Sequence, residues 1–146
     1  RGLRMPEIWS LSIGDLARRS DTKVPTIRYY AESGLMPAPP RTGGGQRRYT
    51  DAHLERLKFI RHARDLGFTI EDTLELLRLS AHPDNPCEAV EALTAKHLRE
   101  VESKIKRLQS LRRELTRMVG ACANGALKDC RIIGTLADHT RCRDDH

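Results

Sequence analysis

The longest run of patterned hydrophobic positions covers residues 85–119. Apolar residues recur there at alternating intervals of three and four, and neither proline nor glycine follows Pro86 within the run, which predicts one long amphipathic helix. Asn85 and Pro86 predict its start, and Gly120 predicts its end. The apolar positions form the seam of a heptad repeat: Leu98, Val101, Ile105, Leu108, Leu115 and Val119. One helix cannot bury so narrow a stripe by itself, so the pattern predicts a coiled coil with a partner helix.

Cysteines lie at both ends of this seam. The heptad positions extended outwards fall on Cys87 and Cys122, which a continuous helix would separate by roughly 52 Å within one chain. An antiparallel pair centred between Lys104 and Ile105 would instead place Cys87 of one protomer against Cys122 of the other. Cys130 follows Cys122 after a short polar loop. We therefore predict a metal site formed by Cys87 of one protomer with Cys122 and Cys130 of its partner; alternatively, these cysteines are only small hydrophobic residues.

Two short helices are predicted near the start of the chain. Ser12 and Asp15 have the spacing of a capping box, which begins a helix ending near Arg19 or Ser20. A second helix is expected from Thr22 or Lys23 to Gly34, so the pair forms a helix-turn-helix. The second helix of such a motif enters the major groove of DNA. The residues that it would present to DNA are Lys23, Thr26, Arg28, and Tyr29 or Tyr30.

A glycine-rich segment, residues 41–49, predicts a small hairpin, a wing beside the helix-turn-helix. Its side chains suit contacts to phosphates, which position a protein on DNA; a flexible basic loop is the alternative. The candidate residues are Arg41, Gln46, Arg47, Arg48 and Tyr49. A third helix is predicted over residues 51–66, with an apolar face of Leu54, Leu57, Ile60 and Ala63, and a fourth from Thr69 to about Ser80.

Composition divides the chain further. The net charge of +6 is uneven, because residues 1–64 hold 13 basic and 6 acidic side chains whereas the remainder holds 13 and 14. We predict a winged helix-turn-helix DNA-binding domain at 8–80, a dimerisation helix at 85–120, and a metal-binding loop with a C-terminal tail at 121–146. No apolar run could span a membrane, so we expect a cytoplasmic protein. Four cysteines in that compartment suggest metal or redox chemistry rather than disulfides.

These motifs together resemble the MerR family of bacterial transcription regulators. The resemblance rests on the segments 12–17, 24–30, 34–37, 47–49, 57–61 and 66–70. The long helix and its cysteines extend it to the metal-sensing branch. It implies a mainly α protein, in which a winged helix-turn-helix domain is followed by a long antiparallel coiled-coil dimerisation helix and a short metal-binding loop. It also implies a regulator rather than an enzyme.

The resemblance further implies partners and a mechanism. A homodimer would bind double-stranded DNA at a palindromic promoter whose two polymerase elements are separated by an overlong spacer. Metal binding would change the distortion of the DNA, realign those elements for RNA polymerase, and thereby activate a metal-resistance or efflux promoter.

The ion is less closely defined than the family. A third thiolate, Cys87, adds negative charge suited to a soft divalent ion, so we expect zinc first, with cadmium, lead or mercury as alternatives. The copper(I) sensors of the family are similar in the spacing of Cys122 and Cys130 but typically have serine where this chain has Cys87. Its mercury and lead sensors resemble the trio but typically have a loop longer by one residue. His139 or Cys142 could supply a fourth ligand.

Other functions use the same thiols. A copper(I) sensor, a regulator that senses oxidants or electrophiles through thiol oxidation, and a purely structural zinc site remain alternatives. An enzyme with a Cys–His nucleophile is disfavoured, because His97 lies about 15 Å from Cys87 along a helix. We interpret His82 and His97 as solvent-exposed or seam residues rather than ligands.

Overall fold

The structure, a computed structural model of the single chain, describes residues 11–39, 47–120 and 125–138. These residues form six α-helices and one short 3-10 helix. The α-helices are α1 (Ile13–Ser20), α2 (Val24–Glu32), α3 (Asp51–Asp65), α4 (Ile70–Ser80), α5 (Glu88–Met118) and α6 (Arg131–Ala137), and the 3-10 helix is Leu127–Asp129. The predicted mainly α fold is confirmed.

Side-chain caps define where the early helices begin. The hydroxyl of Ser12 accepts a hydrogen bond of 3.0 Å from the N–H of Asp15, whose carboxylate accepts one of 2.9 Å from the N–H of Ser12. The hydroxyl of Thr69 likewise accepts from the N–H of Asp72 at 3.0 Å. Such caps satisfy N–H groups that a helix start leaves unpaired. The starts predicted at Ser12 and Thr69 are therefore found.

The first four helices share one hydrophobic core. Helix α1 packs against α2 and α3, and α3 packs against α4. The four residues predicted as the apolar face of α3 are all buried. The core consists of Leu11, Leu16, Ile27, Tyr30, Leu35, Met36, Tyr49, Leu54, Leu57, Ile60 and Leu77. This core is thus formed within the single chain.

The predicted wing lies only partly within the described residues. Its last residue, Tyr49, forms an antiparallel bridge with Leu11. Two backbone hydrogen bonds make this bridge: the N–H of Leu11 donates to the Tyr49 carbonyl at 3.0 Å, and the N–H of Tyr49 donates to the Leu11 carbonyl at 2.7 Å. The end of the predicted wing is therefore hydrogen-bonded to the chain just before α1.

Helix α5 begins later than its sequence suggested. The N–H of Asn85 donates to the carbonyl of His82 at 3.0 Å, so the chain is still turning where the helix was expected to start. Cys87 consequently lies immediately before the first helical residue, Glu88, so the start predicted at Asn85 and Pro86 was wrong by two residues. The chain divides into two compact units, with the boundary between Val90 and Glu91.

Helix α6 was not predicted from the sequence, which indicated only a loop and tail after α5. It follows the 3-10 helix and begins after Cys130. Helix α5 ends at Met118, and Gly120 then adopts the predicted left-handed conformation, with φ of 91°. Within the described part of the chain, no helix is long and apolar enough to cross a membrane.

Candidate DNA-binding surface and metal-binding cysteines

A turn of three residues, 21–23, joins α1 to α2. Asp21 adopts the left-handed conformation, with φ of 52°, which costs a non-glycine residue energy unless its surroundings hold it. The N–H of Asp21 donates to the carbonyl of Arg18, and the N–H of Thr22 donates to that of Ala17 at 3.0 Å. These bonds make the compact turn of the predicted helix-turn-helix.

Helix α2 presents one polar side to solvent. Arg28 and Tyr29 are exposed, as is Lys23 just before the helix, and Thr26 is half-buried, whereas Ile27 enters the core. Pro25 occupies the first turn, where its missing N–H costs no helical hydrogen bond. The structure thus leaves four of the predicted DNA-facing side chains at least partly accessible at the start of α2 or within it.

Two predicted DNA-facing tyrosines belong to the core instead. Tyr30 is 7% exposed and Tyr49 is 4% exposed. Tyr30 follows Ile27 by three residues, which places both on the inner side of α2. Tyr49 packs edge-on against the ring of His53, with ring centroids 5.4 Å apart. Their burial gives both tyrosines a packing role, and we remove them from the set proposed to contact DNA.

Two arginines precede the bridge at Tyr49. Arg47 is exposed and Arg48 is half-buried, so the guanidinium of Arg47 remains accessible to a phosphate. Arg41 and Gln46, the other two residues predicted in the wing, lie outside the described residues.

Three arginines of α3 bind backbone carbonyls of their own chain. Arg56 Nε donates to the carbonyl of Leu35 at 2.6 Å, and Arg64 Nη1 donates to that of Phe68 at 2.6 Å. Arg61 Nη1 donates to the carbonyl of Ser20 at 2.9 Å. All three contribute to the basic excess of residues 1–64 that suggested an anionic partner. Their hydrogen bonds show that part of this positive charge stabilises the fold.

His53 caps the start of α3 in its neutral form. Its Nδ1 accepts a hydrogen bond of 3.1 Å from the N–H of Thr50, whose hydroxyl accepts one of 3.3 Å from the N–H of His53. Burial, and then the positive charge of Arg56, lower the pKa of His53. Because a protonated Nδ1 cannot accept, this cap works only above the pKa of the ring.

The predicted seam of α5 lies in solvent in the single chain. Its five largest exposed side chains are between 48% and 76% accessible: Leu98, Ile105, Leu108, Leu115 and Val119. An open apolar groove of about 460 Å³ runs along the last turns of the helix, lined by Leu108, Leu111, Arg112, Leu115, Thr116 and Val119. Exposed apolar surface of this extent is typical of a protein interface.

Helix α5 also has buried positions away from the exposed leucines. Ser110, Glu114 and Met118 recur every four residues and are buried, and Glu114 forms an ion pair with Arg117. His97 is buried too, with its Nδ1 3.8 Å from Glu100 Oε2. His97 was interpreted as a solvent-exposed or seam residue, and its burial excludes only the first of these for the single chain.

The two described cysteines of the predicted site are free thiols. Cys87 is exposed just before α5, and Cys130 is half-buried between the 3-10 helix and α6. Cys122, His139 and Cys142 lie outside the described residues. Among the residues that are described, no group of three His, Cys, Asp or Glu side chains could hold a metal ion. Helix α5 has 31 residues and is therefore about 46 Å long. Free thiols at Cys87 and Cys130 are compatible with a metal site that a second chain completes.

Comparison with protein families agrees with this architecture. The model of MerR HTH family regulatory proteins matches residues 11–79, and the model described as MerR, DNA binding, matches residues 54–118. The first range runs from before α1 to the penultimate residue of α4, and the second extends to the end of α5. Together they cover most of the chain.

Similar proteins are regulators of the same kind. The HTH-type transcriptional regulator ZntR of Escherichia coli strain K12 is 44% identical over 127 residues, which is 85% of this chain and 90% of that protein. The heavy metal-dependent transcription regulator 2 of Rhizobium meliloti strain 1021 is 35% identical over 128 residues, covering 88% and 87%.

A solved structure shares the fold as well. The transcription regulator PbrR691 from Ralstonia metallidurans CH34, crystallised with lead(II), superposes with a TM-score of 0.76 at 36% identity. The match covers 86% of this chain and 98% of that one. It supports both the helix-turn-helix region and the long helix.

A DNA-binding regulator of transcription is the class that the helix-turn-helix and the long helix define. The chain belongs to the MerR family of transcriptional regulators. The predicted resemblance to the metal-sensing branch of this family is confirmed, and so is the prediction of a regulator rather than an enzyme.

Proposed function

We propose that this chain is a metal-responsive regulator that works as an antiparallel homodimer on promoter DNA. The observation that carries the dimer is the row of exposed apolar side chains on α5, from Leu98 to Val119. Such a row follows a heptad repeat, and an equivalent helix is the partner that fits it. Residues 8–80 bind DNA in this proposal, 85–120 form the dimer, and 121–146 hold the metal ion.

The metal site of the proposal lies between protomers. The amino end of α5 carries Cys87, and Cys122 follows its carboxyl end by four residues. The helix between them is too long for these thiols to meet in one chain. An antiparallel partner places Cys87 of one protomer near Cys122 and Cys130 of the other, with His139 and Cys142 as candidate fourth ligands.

The ion proposed is a soft divalent one. Thiolates bind zinc, cadmium, lead and mercury well, and three thiolates supply the negative charge for a divalent ion. We place zinc first because it is a common tetrahedral ion for cysteine and histidine ligands. Two similar proteins support a metal signal: PbrR691 was crystallised with lead(II), and the Rhizobium meliloti relative is named as a heavy metal-dependent regulator.

In this proposal, metal binding controls transcription by changing the shape of the bound DNA. Metal binding at the ends of the dimerisation helices changes how the two helix-turn-helix domains distort a palindromic promoter, and RNA polymerase then begins transcription. The protein acts in the cytoplasm, where the promoter is. Exposure of Cys87 favours one second candidate, a regulator switched by oxidation of the same thiols.

An anaerobic titration of the reduced protein with zinc, cadmium, lead, mercury and copper(I) tests the metal site. The proposal predicts two divalent ions per dimer, and loss of tight binding in Cys87→Ser and in Cys122→Ser. Cys142→Ser tests the candidate fourth thiolate, and retained binding there limits the thiolate set to three. Copper(I) as the one tight ion, or no tight ion at all, would favour the copper(I) or the oxidant sensor instead.

A further inference from the structure

One basic side chain of α3 reaches into the turn between α1 and α2. Arg61 Nη1 donates to the carbonyl of Ser20 at 2.9 Å and also to the carbonyl of Asp21. The same nitrogen lies 2.9 Å from Asp21 Oδ2, and Arg61 Nε lies 3.5 Å from Asp65 Oδ2. A single guanidinium thus joins the helix-turn-helix turn to the middle of α3, across 40 positions of sequence.

Arg61 binds backbone groups at the end of α1, where the carbonyl of Ser20 also accepts a hydrogen bond of 3.1 Å from the hydroxyl of Thr22. The last carbonyls of a helix have no partner within it, and Ser20 is the last residue of α1. Asp21 holds a left-handed conformation that needs support from its surroundings. A planar guanidinium with several donors can serve two carbonyls and a carboxylate at once, which a lysine ammonium cannot do in the same geometry.

Both candidate DNA-contacting elements are therefore tied to α3. The turn sets where α2 begins, and Arg61 fixes that turn. Arg47 and Tyr49 lie just before the start of α3, and Tyr49 packs against His53 of that helix. A change in how the turn sits on α3 would alter the angle between α2 and the wing, and hence the fit of both to one stretch of duplex.

We propose that Arg61 is a positioning residue for operator recognition, which orients α2 through the turn and contacts no phosphate. The proposal rests on DNA binding through α2. It assigns to Arg61 an effect on the discrimination between DNA sequences, because misaligned base contacts lose specificity whereas phosphate contacts tolerate small shifts. Salt dependence separates the two roles, since each phosphate contact adds about 0.9 to the slope of log affinity against log salt.

The test uses two duplexes: one selected by the wild-type protein from a random-sequence pool, and a scrambled duplex of the same base composition. Arg61→Gln and Arg61→Lys are each expected to lower affinity for the selected duplex about tenfold. Affinity for the scrambled duplex should change less than about twofold, and the salt slope should not change. Circular dichroism and thermal unfolding establish that each variant is folded, and Arg61→Lys keeps the charge and the aliphatic stem if Arg61→Gln unfolds.

Arg47→Gln is the matched control, because Arg47 is exposed just before the bridge at Tyr49 and is predicted to bind phosphate from the wing. It should lower affinity for both duplexes and make the salt slope shallower. The same pattern in Arg61→Gln would overturn the positioning role, and so would folded Arg61 variants with unchanged discrimination between the duplexes. A wild-type protein that enriches no sequence would instead overturn the DNA-binding mode on which the proposal rests.

Discussion

The first four helices bury a shared set of leucines within the single chain, whereas the seam leucines of α5 lie in solvent. Leu16, Leu35 and Leu57 have no accessible surface, but Leu108 and Leu115 are each more than half exposed. Apolar surface left in water forgoes stabilisation of about 25 cal/mol per Å². The comparison teaches that residues 11–80 form a core within one chain, whereas α5 leaves an apolar row that the proposed dimer would bury.

The largest expected effect comes from placing a charge on the exposed row of α5. Leu108→Glu would bury two carboxylates in the proposed dimer without partners, which is strongly unfavourable. We expect dimer affinity to fall at least about 100-fold, with metal binding lost as a consequence. Sedimentation equilibrium measures the first, and ion competition measures the second.

Lys106→Glu provides the control, because Lys106 is exposed on α5 but lies off the heptad seam. That variant should remain dimeric. Dimerisation of Leu108→Glu at wild-type concentrations would show that α5 associates through another face, and would break the comparison.

A leucine truncation in the other region should act on folding rather than assembly. Leu57→Ala shortens a fully buried side chain of α3, and such changes cost about 2–5 kcal/mol of unfolding free energy. Leu66→Ala, at a position 69% exposed just after α3, should cost at most about 0.5 kcal/mol. Urea unfolding measures both variants, and equal losses would mean that the core is not where the structure places it.

Substitutions on the exposed side of α2 should weaken DNA binding and leave dimerisation and metal binding unchanged. Arg28→Ala is expected to weaken DNA binding roughly tenfold and to lower the salt slope by about one for each phosphate that Arg28 binds. Its dimer affinity and its metal stoichiometry should equal those of the wild type. Loss of metal binding in this variant would contradict the division of labour between the two regions.

The smallest expected effect concerns the cap of α3. The folded state lowers the pKa of His53 below the ordinary value of about 6.5, so the unfolded chain takes up the proton first as pH falls. Stability from the neutral ring is thus present above about pH 6.5 and is lost as pH falls through the folded pKa. The ring is only half-buried and water screens its charge, so we expect a loss of at most about 1 kcal/mol.

Thermal unfolding between about pH 7.5 and pH 5.0 checks this, with His53→Gln as the control. Glutamine can form the same cap without titrating, so the variant should lack the decline over this range. Carboxylates such as Asp15, whose pKa is lowered chiefly by the hydrogen bond from the N–H of Ser12, titrate in more acidic solution. An identical pH dependence in both proteins would remove His53 as the cause.

Sequence patterns predicted the helices best where local side chains define them. Ser12, Thr50 and Thr69 cap α1, α3 and α4 within a few residues of the chain, so their signals are local. Helix α6 has no side-chain cap bond and only seven residues, which left a weak pattern. Its apolar pair Ile132 and Leu136, four residues apart, was the available signal.

Hydrogen bonds and packing between residues far apart in the chain could not be predicted from the sequence. Nothing near Arg61 indicates that it binds Ser20, because the two are 41 positions apart. The burial of Tyr30 could have been inferred from its spacing to Ile27, but the burial of Tyr49 depends on a bridge to Leu11. The proposed metal site needs a second chain as well, so one sequence could supply its candidate ligands but not their arrangement.

Complementation between two defective protomers tests the central claim most directly. Differently tagged Cys87→Ser and Cys122→Ser chains would be mixed, the heterodimer isolated, and bound zinc counted anaerobically. A site shared between protomers predicts one tight ion in the heterodimer, formed by the intact Cys87 of one chain and the intact Cys122 of the other, and none in either homodimer. A heterodimer that binds no ion, or homodimers that each bind two, would contradict the account.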